Sequence, residues 1–584
     1  MRGLLRTAHD TYLQFSTGSR ALFLFFAALC VVSSVSLLYL LNESLLVAVP
    51  AYGGSLSEGV VGSPRFINPV LAVSDSDHDL SSLVYSGLLR ATPEGDYKND
   101  LALNYTVSPD GKTYTFTLRP NATFQNGMPV TADDIVFTVQ KTQDPALKSP
   151  LQANWSGVTV AAIDAHTVQF TLKQPYAPFV ENLTMGILPK ALWQNVSDDE
   201  FSFSTLNTSP VGSGPFTVAT ISRSASGIPT SYELHPFNAY VLGKPYLSTI
   251  TLHFYQNESG LVSALKSGEI QSASGISPSD IATLSLQNSV VQKAPLNRVF
   301  GVFFNQNQST VLRDHDVRQA LEDAVDRNAL LSQVLGGYGT ALSGPVPPSL
   351  IGGLSTSGQT ALTPVASSST QANDLASAAQ QELIKKGWVL SNGVLTKTTG
   401  KGKSAKTETL SFSLATDNVP ELRASAEYLK EVWGKMGAQV TVQIYDQGDL
   451  SQNVIRPRKY DALLFGEVIG RELDLFAFWD SSQRNDPGLN IALYANSSAD
   501  KILEQLRTTS SDSDRAQLYG QFENLLQADI PAIFLYAPDF VYIVPKQLSG
   551  LDEGFVETPS DRFLSVTDWH VETDAVYPIF AKRR

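Results

Sequence analysis

The chain has 584 residues, 43% of them hydrophobic and 9% aromatic, with 56 acidic against 42 basic side chains and a formal net charge of −14. That length exceeds one ordinary core and predicts two or three domains, and the composition is that of a folded protein. The acidic balance argues against nucleic acid as a partner, since phosphate binding needs a basic face, and the single cysteine, Cys30, excludes intrachain disulfides and CxxC sites.

The first element is "ALFLFFAALCVVSSVSLLYLL", Ala21 to Leu41, an uncharged run long enough to cross a bilayer as a helix. Arg2, Arg6 and Arg20 precede it, which predicts a cytoplasmic tail, a single-pass cell-membrane anchor and a large extracytoplasmic part. A lipoprotein signal needs a small residue before the cysteine, and here Leu29 stands there. A cleavable signal needs small residues near the end of the run; "VPA" at Val49 to Ala51 comes about ten residues too late. The uncleaved anchor is therefore favoured.

Behind it, "LVAVPAYGGSLSEGVVGSPRFINP" reads as a short linker, then a strand and a turn. The spacing of "SLVYSGLLR", Ser82 to Arg90, predicts a helix. In "YTFTLRPNATFQNGMPVTADDIVF", Tyr114, Phe116 and Leu118 share one strand face, Asn126-Gly127 marks a turn, and Thr131 with Asp134 forms a helix capping box. The adjacent Asp133 and Asp134 thus read as a helical first turn, not as an acid/base pair. "TSPVGSGPFTVATI" has Gly212 and Gly214 framing a turn close to another backbone; it lacks the lysine of a P-loop.

"GLVSALKSGEIQSA" reads as helix then strand, and "NRVFGVFFNQNQ" as a buried strand. Val317, Ala320, Leu321 and Ala324 form a helical stripe. Ser355 to Gln380 reads as a surface loop entering a helix, and Thr396 to Lys406 as a solvated hairpin tip. "FSLATDNVPELRASAEYLKEVWGKMGAQVTVQIYD" is strand, helix, strand, hence an α/β lobe. A further buried strand ("KYDALLFGEVIG"), two helices and the apolar strands of "IPAIFLYAPDFVYIV" follow. The seven histidines are isolated, without HExxH spacing, so no metal site or cofactor is expected. There is no GxSxG elbow and no GxGxxG after a strand. A hydrolase with carboxylates paired only in space is the least favoured reading.

The stretch "LVYSGLLR…PEGDYKNDLALNYTVSPDGKTYTFTLRPNATFQNGMPVTADDIVF" resembles the signature region of the family 5 extracellular solute-binding proteins, the peptide-binding components of ABC importers. The likeness runs in order through "PVGSGPFTV", "HPFNAYVLGKPYLSTITLHFY", "LRDHDVRQALEDAVDRNALLSQVLGGYGTALSGPVPPS", "YDALLFG" and "LYGQFENLLQADIPAIFLY". It implies a two-lobed, hinged α/β fold of periplasmic-binding-protein type with an extra domain inserted in the first lobe. The divisions expected are a tail (1–20), an anchor (21–41), a linker (42–59), first lobe (60–88), insert (89–206), first lobe again (207–304), second lobe (305–539) and a return to the first lobe with the C-terminal tail (540–584).

In that family the stretch after "YDALLFG" lines the cleft, often with Trp after the Gly and an Asp that pairs with a ligand amine. Here Glu467 replaces the Trp, and Arg471 falls near the Asp position with Glu472 beside it. A free Arg471 would favour an anionic or blocked ligand; Glu467 or Glu472 could instead take the amine; a mutual surface ion pair is the third reading. The resemblance also places Phe300, Phe304, Asn305, Val468 and Tyr536 at the cleft, with core packing as the alternative for the aromatics and Asn305. It implies a monomeric peptide-binding protein, not an enzyme, serving an ABC permease and its ATPase subunits. The competing expectation is a sensing or chaperone-like binder on the same fold without an importer.

Overall fold

The computed structural model describes residues 16–176, 178–347, 350, 369–400, 405–486, 488–509, 511–552, 554 and 556–581. The chain divides into two compact units, one formed by residues 1–54 with 570–584 and one by residues 55–569. In the smaller unit, helix Thr17–Ser44 begins at the Ser16 cap and buries none of its residues. The stretch read as a linker carries strand Val47–Ala51, which pairs antiparallel with Glu572–Val576. Residues 1–15 of the expected tail lie outside the described residues, as do 351–368 of the Ser/Thr-rich loop and 401–404 of the hairpin tip.

The larger unit is organised by one twelve-stranded mixed sheet that serves two lobes. In the first lobe, Ser55–Val61 lies parallel to Thr249–Tyr255, which continues antiparallel into Pro229–Pro236 and Phe216–Arg223. In the second, Ser411–Asp417 lies parallel to both Gln439–Tyr445 and Ala462–Val468, joined to the former by helix Pro420–Met436 as the strand–helix–strand pattern predicts. Arg298–Phe304 pairs with Ala462–Val468, and its apolar side chains feed cores on both faces of the sheet.

The apolar segment read as the last strands is a single strand, Ala532–Pro545. Its first half pairs with Arg298–Phe304 and its second half with Ser289–Pro295, so one strand belongs to both lobes. Between the halves stand Pro538 and, on the facing chain, Pro295 and Leu296, whose N–H donates to the Pro538 carbonyl at 3.0 Å. Prolines remove donors from the ladder at this point, which leaves the two crossings as the natural hinge.

A four-stranded antiparallel sheet, ordered Ala102–Val107, Thr113–Leu118, Thr167–Thr171, Thr159–Asp164, packs with helix Ala132–Gln143 around its own core. Tyr114, Phe116 and Leu118 all face inward, as their alternation requires. Asp134 accepts from the Thr131 N–H and hydroxyl, both at 2.8 Å, and from the Lys190 N–H at 2.8 Å, while Asp133 pairs with Lys190 at 2.9 Å. The paired aspartates are thus helix-start and packing groups. Gly212 and Gly214 press on the Val84–Tyr85 backbone so closely that a Cβ at Gly212 would stand 2.0 Å from the Val84 carbonyl oxygen.

One reading fails. The helix before that contact is Asp75–Val84, started by a Ser74–Asp77 capping box, and the chain is already extended at Tyr85. Leu89–Ala91 is a strand paired with Tyr97–Asn99. A helix through Arg90 is blocked because Gly87 lies against the backbone of Thr184, where a Cβ would come within 2.6 Å.

Candidate functional site

Two cavities follow the seam between the lobes. The larger, about 850 Å³, lies at the hinge, where the strand crossings bring Phe300, Val468 and Tyr536 together. Phe300 stacks on Tyr536 with ring centroids 5.2 Å apart, and the Tyr536 hydroxyl lies 3.1 Å from the Ser425 hydroxyl. Burial raises the Tyr536 pKa to about 12, so it stays a neutral phenol. Arg298 is the one cation among the described lining residues, which include six carboxylates, Asp75, Asp79, Glu258, Asp417, Glu421 and Asp539.

The smaller cavity, about 430 Å³, opens between the first lobe, the segments 151–155 and 181–186 that flank the four-stranded sheet in sequence, and the loop after Ala462–Val468. Arg471 reaches into it from that loop. Its Nη1 donates to the Thr92 carbonyl at 3.1 Å, one Nη2 bond runs to Asp561 at 2.5 Å, and Nε lies 3.6 Å from Glu557. Arg471 is therefore a buried, paired cation and not a free one. Its carboxylate partners come from the C-terminal part of the chain and its carbonyl partner from Thr92, so the loop is tied across the seam.

Further contacts hold the same loop. Tyr176 donates to Asp474 at 3.2 Å, and Arg507 pairs with Asp474 at 3.3 Å while stacking over Tyr176 and Phe476. Arg515 donates to the Glu472 carbonyl at 2.7 Å and faces its carboxylate at 4.0 Å. The Tyr519 hydroxyl donates to the Leu473 carbonyl.

The electrostatic balance of this cavity is acidic. Glu181 and Glu557 hydrogen-bond to each other, and both lie among further carboxylates, Glu472 beside Glu181 and Asp561 beside Glu557. Burial, then the Glu472 charge, raises Glu181 to about 7. Burial, then the charges of Glu181 and Asp561, raises Glu557 well above the carboxylate range, and Arg471 offsets this only in part. Two carboxyl groups in one poorly hydrated site hold a shared proton until a cation replaces it. The hydroxyls of Tyr85 and Tyr97, which also line the cavity, are buried without a hydrogen-bond partner. Such groups await a ligand or water. Trp155 adds an apolar wall.

The remaining candidates sit elsewhere. Phe304 is fully buried in the core of the second lobe. Asn305 is buried in the turn that follows, its amide donating to the Arg458 carbonyl at 2.9 Å and its oxygen accepting from the Asn307 and Gln308 N–H groups. Glu467 points away from both cavities into the sheet; it is 3% exposed, and neither carboxyl oxygen has a hydrogen-bond partner. Burial alone raises its pKa well above the ordinary value. Sequence reasoning missed Glu181, Glu557, Asp561, Tyr85 and Tyr97, which come from segments far apart in the chain. Only Asp561 carried a local signal, the Thr558–Asp561 capping box.

Comparison with known proteins matches the profile of the bacterial extracellular solute-binding proteins, family 5, middle, to residues 96–486. The chain is 27% identical over 530 residues to the oligopeptide-binding protein AppA of Bacillus subtilis, covering 89% of this chain and 92% of AppA. It is 25% identical over 506 residues to the probable D,D-dipeptide-binding periplasmic protein DdpA of Escherichia coli, covering 84% and 90%. Among solved structures, the substrate-binding protein CtaP of Listeria monocytogenes superposes with a TM-score of 0.72 at 26% identity, covering 89% of this chain and all of CtaP. AppA in complex with a nonapeptide gives 0.69 at 24% identity, covering 90% and 100%.

Proposed function

The chain belongs to the bacterial extracellular solute-binding proteins, family 5, and on that premise we propose that its cleft captures peptides and hands them to an ABC permease and its ATPase subunits. It works outside the cytoplasm as a binding protein and not as an enzyme. The observation that carries the peptide reading is the seam itself. It carries two neighbouring cavities lined by polar and aromatic side chains, one of them at the hinge between the lobes.

The acidic end defines the ligand group it takes. Asp100, Glu181, Glu557 and Asp561 line this cavity against Arg90 and Arg471. Arg471 is held by Asp561 at 2.5 Å, so the surplus charge rests on the Glu181–Glu557 pair, and an ammonium is the complementary partner. Binding then displaces the shared proton. Calorimetry with a set of tripeptides, free and N-acetylated, tests this. Free peptides are expected to bind more tightly than acetylated ones and to release about one proton near pH 7. Glu181→Gln with Glu557→Gln should abolish that preference; equal affinities in the unaltered protein would remove the ammonium assignment.

The proposed layout follows the boundaries expected above. Residues 1–20 form a cytoplasmic tail, 21–41 the anchor and 42–59 its linker. Residues 60–88, 207–304 and 540–584 are assigned to the first lobe and tail, 89–206 to the insert and 305–539 to the second lobe, with two shifts that the strand pairing favours: the first lobe starts at Ser55–Val61, and Arg298–Phe304 goes with the second lobe. The four-stranded sheet with its separate core supports the insert. Helix Thr17–Ser44, with none of its 28 residues buried, supports the single-pass anchor.

A further inference from the structure

The smaller unit holds exposed apolar side chains outside the anchor helix. Strand Glu572–Val576 ends where it pairs with Val47, next to the end of helix Thr17–Ser44. The chain then turns into the short helix Pro578–Ala581. Tyr577 is 42% exposed, Ile579 74% and Phe580 54%. The Tyr577 hydroxyl donates to the side-chain oxygen of Asn42. This hydrogen bond fixes the height of the segment along the helix.

That height is decisive. Ala21 to Leu41 spans about 30 Å at 1.5 Å per residue, which matches the hydrocarbon thickness of a bilayer. Asn42 is the next residue and falls at the outer headgroup layer. Tyr39, one turn earlier on the helix, donates to Glu43 at 2.7 Å, a polar bond suited to the same layer. Tyrosine at this depth gains from burying its ring while keeping its hydroxyl hydrated, and isoleucine and phenylalanine gain from burial alone.

We propose that Tyr577, Ile579 and Phe580 dip into the outer leaflet beside the anchor, so that the protein holds the membrane at two points of its sequence. This rests on the reading of helix Thr17–Ser44 as a membrane anchor. The strand pair Val47–Ala51 with Glu572–Val576 then clamps the two contacts together at the bilayer surface. The partner is the lipid interface itself.

The test uses the full chain in lipid nanodiscs containing a lipid with a photoactivatable diazirine near the glycerol backbone. After illumination, proteolysis and mass spectrometry locate the lipid adducts. The proposal expects adducts both on the anchor helix and on the peptide containing residues 577–581, and their loss from the latter in an Ile579→Ser, Phe580→Ser double variant. Adducts on the helix alone would overturn the proposal and leave the anchor standing. Adducts on neither peptide would remove both. A nitroxide at Ile579→Cys, with Cys30→Ala, gives a second reading. It should be more accessible to oxygen than to a water-soluble nickel chelate, and equal accessibility to that of a label at Phe203→Cys contradicts the proposal.

Discussion

Asp561 and Arg562 stand side by side on the short helix Pro559–Ser565, yet each serves a charge cluster of different balance. Arg562, wholly buried, donates through Nε to Glu58 at 2.7 Å and grips Asp79 through two nitrogens at 2.7 and 2.6 Å; Tyr542 completes Glu58 at 2.6 Å. Every guanidinium nitrogen has a partner. One residue earlier, Asp561 joins Glu557 and Glu181 around Arg471 beside an open cavity, with more carboxylates than cations. The first cluster also sets two carboxylates against one cation, and burial raises Asp79 to about 6, yet its guanidinium is fully hydrogen-bonded within the fold. The second cluster sets three carboxylates around Arg471 and, on the proposed reading, keeps a proton that a ligand cation replaces. Burying charge without full pairing is costly, and a binding protein places that cost where a ligand can relieve it.

The sharpest way to break this comparison is the same substitution in both places. Arg562→Met leaves Glu58 and Asp79 buried without a cation and should destabilise the fold by about 3–5 kcal/mol, read by urea denaturation. Arg471→Met removes a cation from a cavity that water can enter, so the loss should be smaller, about 1–2 kcal/mol. Its larger effect should fall on the closed state, seen as faster ligand release. Equal destabilisation by the two would show that the clusters do not differ as described.

Glu467 extends the series to a carboxyl with no cation at all. Its folded-state pKa is raised by burial, so the folded protein binds the proton more tightly than the unfolded chain. Its stabilising contribution is complete below the ordinary carboxylate range and is lost as pH rises above it. Glu467→Gln should therefore add about 1–3 kcal/mol at pH 7 and almost nothing at pH 4. An effect independent of pH would mean that the carboxyl has an unrecognised partner.

A further expected effect concerns pH and affinity. With Glu181 at about 7, a proton competes with the ligand ammonium below that value. Affinity for free peptides should fall as pH drops from 7 to 5, by at most tenfold per unit for one displaced proton. Stability of the empty protein moves the other way, since a raised carboxylate pKa loses stabilisation as pH rises toward 7.

Much of the scaffold was legible because its signals are local. The Thr131–Asp134 box, the Gly212–Gly214 turn and the Val317–Ala324 stripe each encode their geometry within a few residues. The helix through Arg90 was misread because the contact of Gly87 with Thr184 is a tertiary constraint invisible to spacing. The single crossing strand was read as plural for a related reason: an apolar run gives no sign of which half pairs with which lobe. The charge cluster was the least legible part. Arg471 stood out as a departure from the family pattern, but its partners Asp561 and Glu557 lie in a segment outside the matched region, and Glu181 had no distinguishing neighbour.

If the seam holds a small solute carrying an ammonium group and releases it unchanged, native mass spectrometry of the purified full chain in nanodiscs, followed by denaturation, will yield intact peptides with free N-termini, lost in the Glu181→Gln, Glu557→Gln variant. A cleaved product, or an anionic or N-blocked solute retained equally by that variant, would contradict this mode of binding.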